Sequence, residues 1–151
     1  MRRRLLAALT GIVGALALSM GISAPATAAP SRINQNVDLG HVFTTGTTCA
    51  GKAMANVVVT GTGKASATGG WYAWTPKVLG PCSAYLAVSW HNLRTGRSGK
   101  IVQKSTDVDT FHPGSFVANN IAVGSGPVRF RLTASGFALS DPTRRVTVVI
   151  P

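Results

Sequence analysis

Glutamate is missing from this chain. Four aspartates, Asp38, Asp107, Asp109 and Asp141, carry all the side-chain negative charge, against fifteen Lys and Arg, for a formal net charge of +11. So few carboxylates leave little for the paired acid–base work of a glycosidase or for an oxygen-lined site for a hard cation. Cysteine is nearly as scarce. With only Cys49 and Cys82, and no Cys or His within four residues of either, the thiolate clusters of a zinc site are excluded. His41, His91 and His112 have no regular spacing, which argues against an imidazole-based metal site, and no cofactor motif is present. Helical periodicity is also lacking. No apolar run follows Ile22 that could cross a membrane or tether the chain.

The apolar run that does exist comes at the start. Arg2-Arg3-Arg4 precedes Leu5–Ile22, and Ala24-Pro25-Ala26-Thr27-Ala28-Ala29 follows it. A basic start, an apolar middle and a small-residue exit are the parts of a secretory signal peptide. Ala and Gly make this segment a poor permanent anchor. Cleavage is expected after Ala28 or Ala29, leaving residues 30–151 as a single secreted domain without a transmembrane anchor. That product keeps twelve Lys and Arg against four Asp. The Ala-rich leader and low Glu and Lys resemble bacterial export proteins of GC-rich genomes. In an oxidising compartment Cys49 and Cys82 have only each other to pair with. Closing a 33-residue separation contributes about 4 kcal/mol in the loop-entropy account. The spacing favours a bridge between neighbouring strands or their loops.

The rest of the chain alternates with period two. Val128, Phe130 and Leu132 alternate with Arg129, Arg131 and Thr133; Leu86, Val88 and Trp90 alternate with Tyr85, Ala87 and Ser89. Strand side chains point alternately to opposite faces, so each run has one apolar face. Gly- and Pro-rich clusters separate the runs, among them Gly61-Thr62-Gly63, Gly69-Gly70, Thr95-Gly96-Arg97-Ser98-Gly99 and Gly124-Ser125-Gly126-Pro127. Strands are expected near 37–45, 53–60, 71–76, 83–92, 99–105, 116–123, 127–134 and 144–150. With no helices to cover a sheet, the sheets must cover each other. The fold class is therefore all-β: an antiparallel two-sheet sandwich of seven or eight strands, immunoglobulin-like in general architecture, with a closed barrel as the alternative.

Catalytic signals are weak. No Gly-x-Ser-x-Gly elbow exists, and Gly96-Arg97-Ser98-Gly99 lacks its spacing. Asp107-Val108-Asp109 with His112 fits a turn shaped by side-chain to backbone bonds better than an acid–base pair. The basic residues carry the positive signal. Arg94, Arg97 and Lys100 crowd a hairpin tip, and Arg129 and Arg131 share one strand face. Such an excess attracts polyanions. In Trp71-Tyr72-Ala73-Trp74 alternation sends the two tryptophans to opposite faces; Trp74 is expected in the core and Trp71 at a contact surface.

The expected function is a non-catalytic binding or interaction protein, acting at the cell envelope or outside the cell. Its partner would be an anionic envelope polymer or an extracellular protein, not a specific nucleic acid, since no recognised binding motif is present. Arg94, Arg97, Lys100, Arg129, Arg131 and Trp71 are the candidate contacts. The alternatives are an inhibitor of an extracellular hydrolase, displaying an extended loop at 76–82 or 93–99, or a small hydrolase using a Ser with His91 or His112.

Overall fold

The alternation seen in the sequence becomes eight strands in a computed structural model that describes residues 32–46, 49–74, 81–107, 113–135 and 145–151. The leader, Asp109, His112, Asp141, Arg144 and most of the 76–82 loop lie outside these residues. The strands are β1 (Asn36–Thr45), β2 (Ala50–Gly61), β3 (Lys64–Ala73), β4 (Cys82–Asn92), β5 (Ser98–Asp107), β6 (Gly114–Ala122), β7 (Gly126–Ala134) and β8 (Val146–Ile150). They form two four-stranded sheets, ordered β1-β2-β3-β6 and β5-β4-β7-β8, and every pairing is antiparallel. The sheets stay open, so the molecule is a sandwich and not a barrel. Pairing of β3 with β6 and β4 with β7 interlocks the layers in the Greek-key manner.

The inward faces have complementary sizes. The first sheet contributes many small residues, including Ala53, Ala55, Ala65, Ala67 and Ala118. The second contributes Leu86, Trp90, Phe130 and Leu132. Small side chains on one layer make room for large ones on the other, which is how facing sheets reach native packing density.

Seven strands fall within three residues of their expected ends, but β3 begins seven residues earlier than expected. Gly69-Gly70 reads as a turn, yet both glycines lie inside β3, paired with Ala55 and Met54 of β2. They are there because the neighbouring backbones come too close for a side chain. A Cβ on Gly69 would run into Met54 O and the Ala55 backbone, and one on Gly70 would lie 2.7 Å from Gly114 O.

Cys49 and Cys82 are bonded, with Cα atoms 6.0 Å apart. Contrary to the expected link between neighbours, the bridge joins the β1–β2 connection of one sheet to the first residue of β4 in the other. It closes one end of the sandwich. Trp71 packs on it, donating its indole N–H to Cys82 Sγ at 3.3 Å. The expected roles of the tryptophans are therefore exchanged: Trp71 is wholly buried, whereas Trp74 is 58% exposed. Trp71 has no surface to offer a partner.

Asn92 organises the opposite end. It is fully buried at the end of β4. Its Nδ2 donates to Val123 O and Ser125 O, at 3.0 and 3.1 Å, and its Oδ1 accepts from the backbone N–H groups of Arg94 and Thr95, both at 3.0 Å. One amide thus shapes both the β4–β5 turn and the β6–β7 connection, with every polar group satisfied. Sequence alone did not single it out.

Candidate functional site

Strand register determines which cations meet. On the outer face of the second sheet, Lys100 of β5 lies opposite Ser89 of β4, which lies opposite Arg131 of β7. Phe130 pairs with Val146, so the same register carries Arg145, just before β8, alongside Arg131. The row Lys100–Ser89–Arg131–Arg145 crosses the whole sheet, about 14 Å at ordinary strand spacing. The next row is Ser98–His91–Arg129–Thr147. Lys104 stands on the same face of β5, opposite Tyr85.

Five Lys and Arg side chains therefore share one pleated surface, and among the described residues no carboxylate joins them. Asp38 lies in β1 of the other sheet, and Asp107 points inward from the end of β5, almost entirely buried. Among the described residues, the first sheet's outer face carries Lys52 and Lys64 as its Lys and Arg, with Asp38 at its edge. The second sheet's outer face is thus the more cationic of the two among the described residues.

A shallow depression of about 360 Å³ lies between these rows, bordered by Ser89, His91, Ser98, Arg129, Arg131 and Arg145. His91 Nδ1 and Ser98 Oγ are hydrogen-bonded across it at 2.6 Å. The floor is Gly99 covered by the Trp90 ring: a Cβ on Gly99 would lie 2.6 Å from that ring. The surface has short hydroxyls between long cations and offers donors almost throughout. Each exposed ion pair is worth only about 0–1 kcal/mol, so a lone small anion would be held loosely. A repeating polyanion engages several cations at once and gains through effective concentration.

Of the candidate contacts, the structure brings Lys100, Arg129 and Arg131 together. It adds Lys104, and Arg145 at the basic start of the last strand; strand register is what brings both beside the others. Arg94 and Arg97 sit apart in the β4–β5 turn at the end of the sandwich, where the Arg94 side chain lies over Gly126. The 93–99 segment does not project. Gly96 N–H donates to Asn92 O and Asn92 N–H to Arg97 O, which makes a compact turn instead of an extended loop.

The His91–Ser98 pair has the contact that a serine nucleophile and its base require. The orienting group is missing: among the described residues no carboxylate reaches His91, and its neighbour on β7 is Arg129. With Arg129 beside it in place of an acid, the pair lacks the third member of a triad among the described residues. No cluster of three or more His, Cys, Asp or Glu occurs among the described residues. The chain matches no protein-family model, no curated protein and no solved structure.

Proposed function

We propose that this chain is a secreted, non-catalytic binding domain that uses the outer face of the β5-β4-β7-β8 sheet to hold an anionic polymer at the cell envelope or outside the cell. The observation that carries the reading is the row Lys100–Ser89–Arg131–Arg145, flanked by Arg129 and Lys104, on a surface free of carboxylates among the described residues. The leader-like first 29 residues and the Cys49–Cys82 bridge agree with export. No helix among the described residues is long and apolar enough to cross a membrane.

The test is retention on an immobilised polyanion such as polyphosphate or polygalacturonate. Retention should fall steeply with salt, because the binding is screened charge. Neutralising Lys100, Arg129, Arg131 and Arg145 together to Gln should abolish it, while neutralising Arg94 and Arg97 should leave most of it. Equal losses per charge removed from the two sets would show that net charge alone is responsible, and the face would lose its role. The 2.6 Å His91–Ser98 contact favours a second reading, a Ser/His hydrolase. Labelling of Ser98 by a fluorophosphonate, lost in His91→Ala, would put that reading first.

A further inference from the structure

We propose that the opposite face carries a sugar-binding subsite, a shelf of aromatic side chains at the cystine end of the β1-β2-β3-β6 sheet. Phe43, Lys52 and Tyr72 are successive cross-strand partners on β1, β2 and β3. The Trp74 ring lies 5.1 Å from Phe43, and the His41 ring packs edge-on to Phe43 at 4.8 Å. Trp74 is 58% exposed, Tyr72 43% and Met54 38%. Single exposed apolar residues need no explanation, but a contiguous group on one rigid face does. The backbone beneath is fixed: Trp74 N–H donates to Ala50 O at 2.9 Å.

The shelf borders a depression of about 320 Å³ lined by Lys52, Met54, Tyr72, Trp74 and Asp107. That volume is at the small end of the range for ligand pockets, suited to one or two rings. Its polarity selects the occupant. A pyranose has an apolar C–H face and a rim of hydroxyls. The aromatic faces match the first, and the Lys52 ammonium offers a donor to the second, while Asp107 closes the inner wall of the depression. Asp107 is held in place by the Ala73 N–H, which donates to Oδ2 at 2.7 Å. A polyanion without sugar rings would leave the aromatic groups unused. This subsite involves none of the cations of the opposite sheet, so it stands whether or not that sheet binds a polymer.

The experiment is affinity electrophoresis of the full domain through gels containing soluble polysaccharides, one each of cellulose, chitin, β-1,3-glucan, galactomannan and polyuronate type. It is run at about 0.5 M salt, where exposed charge attraction is largely screened. At least one polymer should retard the protein. Tyr72→Ala and Trp74→Ala, both at exposed positions and expected to fold, should each weaken that retardation about tenfold. The Lys100, Arg129, Arg131, Arg145 quadruple Gln variant should keep it, which separates this site from the charged face. The proposal is overturned if no polymer retards the protein, or if Tyr72→Ala and Trp74→Ala leave retardation unchanged. It is also overturned if sedimentation shows a dimer that Trp74→Ala dissolves, because a second copy would then cover the shelf.

Discussion

The side-chain amide of Gln103 bonds both backbone groups of Val117: Nε2 donates to the carbonyl at 2.8 Å, and Oε1 accepts from the N–H at 3.0 Å. Gln103 belongs to β5, an edge strand of one sheet, and Val117 to β6, an edge strand of the other. One glutamine thereby satisfies an open edge and ties the two layers along that side. Unpaired edges are templates for pairing with other chains. Gln103→Ala should lower unfolding free energy by about 1 kcal/mol and raise the rate of aggregation. Urea titration and light scattering measure the two effects; unchanged scattering would show that the edge was already protected.

Asn92 is a more demanding case, because four hydrogen bonds converge on one buried amide. Asn92→Ala leaves two carbonyls and two N–H groups short of a partner and should cost about 3 kcal/mol. Asn92→Asp fills the same volume but turns an acceptor toward Val123 O and Ser125 O, so it should not rescue stability. Chemical denaturation of the two variants decides the point. Recovery in the Asp variant would mean that shape, not donor direction, organises this end.

The residues that were legible from the sequence share one property: their signal is local. Val128, Phe130 and Leu132 alternate with Arg129 and Arg131, and period two alone puts the arginines together on the outer face. Lys100, Lys104 and Arg145 join them through the register of four strands brought together from distant parts of the chain, which no local pattern encodes. Alternation also separates Trp71 from Trp74 correctly. Which of them turns inward depends on where Cys82 arrives, and that is tertiary information. Gly69-Gly70 misleads for a related reason: a glycine that makes a turn and a glycine that admits a neighbouring strand look the same in one dimension.

That ambiguity can be tested at two glycines. A Cβ on Gly69 meets the Met54 carbonyl and the Ala55 backbone, neither of which can yield without moving β2; a Cβ on Gly61 meets nothing within 4 Å. Gly69→Ala should destabilise the domain by about 2–3 kcal/mol or more. Gly61→Ala should be neutral or stabilise it by about 0.5 kcal/mol, through loss of freedom in the unfolded chain. Paired melting curves measure both. Equal midpoints for the two variants would mean that β2 and β3 tolerate separation at Gly69.

The cystine and Trp71 should respond together. Cys49 and Cys82 link the layers at the end of the sandwich, and the indole of Trp71 lies against Cys82 Sγ with a 3.3 Å hydrogen bond. Replacing both cysteines with Ala removes the cross-link from the unfolded chain, at a cost of about 4 kcal/mol. A disulfide beside an indole quenches its emission by accepting an electron from the excited ring, so breaking the bridge should brighten Trp71. In a Trp74→Phe background, which removes the exposed indole, emission should rise on reduction while the far-ultraviolet spectrum keeps its β shape. The same reduction in the Trp71→Phe/Trp74→Phe double variant should leave emission nearly flat, since the remaining Trp90 lies beside Gly99 on the β5 side of the core. A rise that survives in the double variant would place the quenched indole elsewhere and break the link between Trp71 and the bridge.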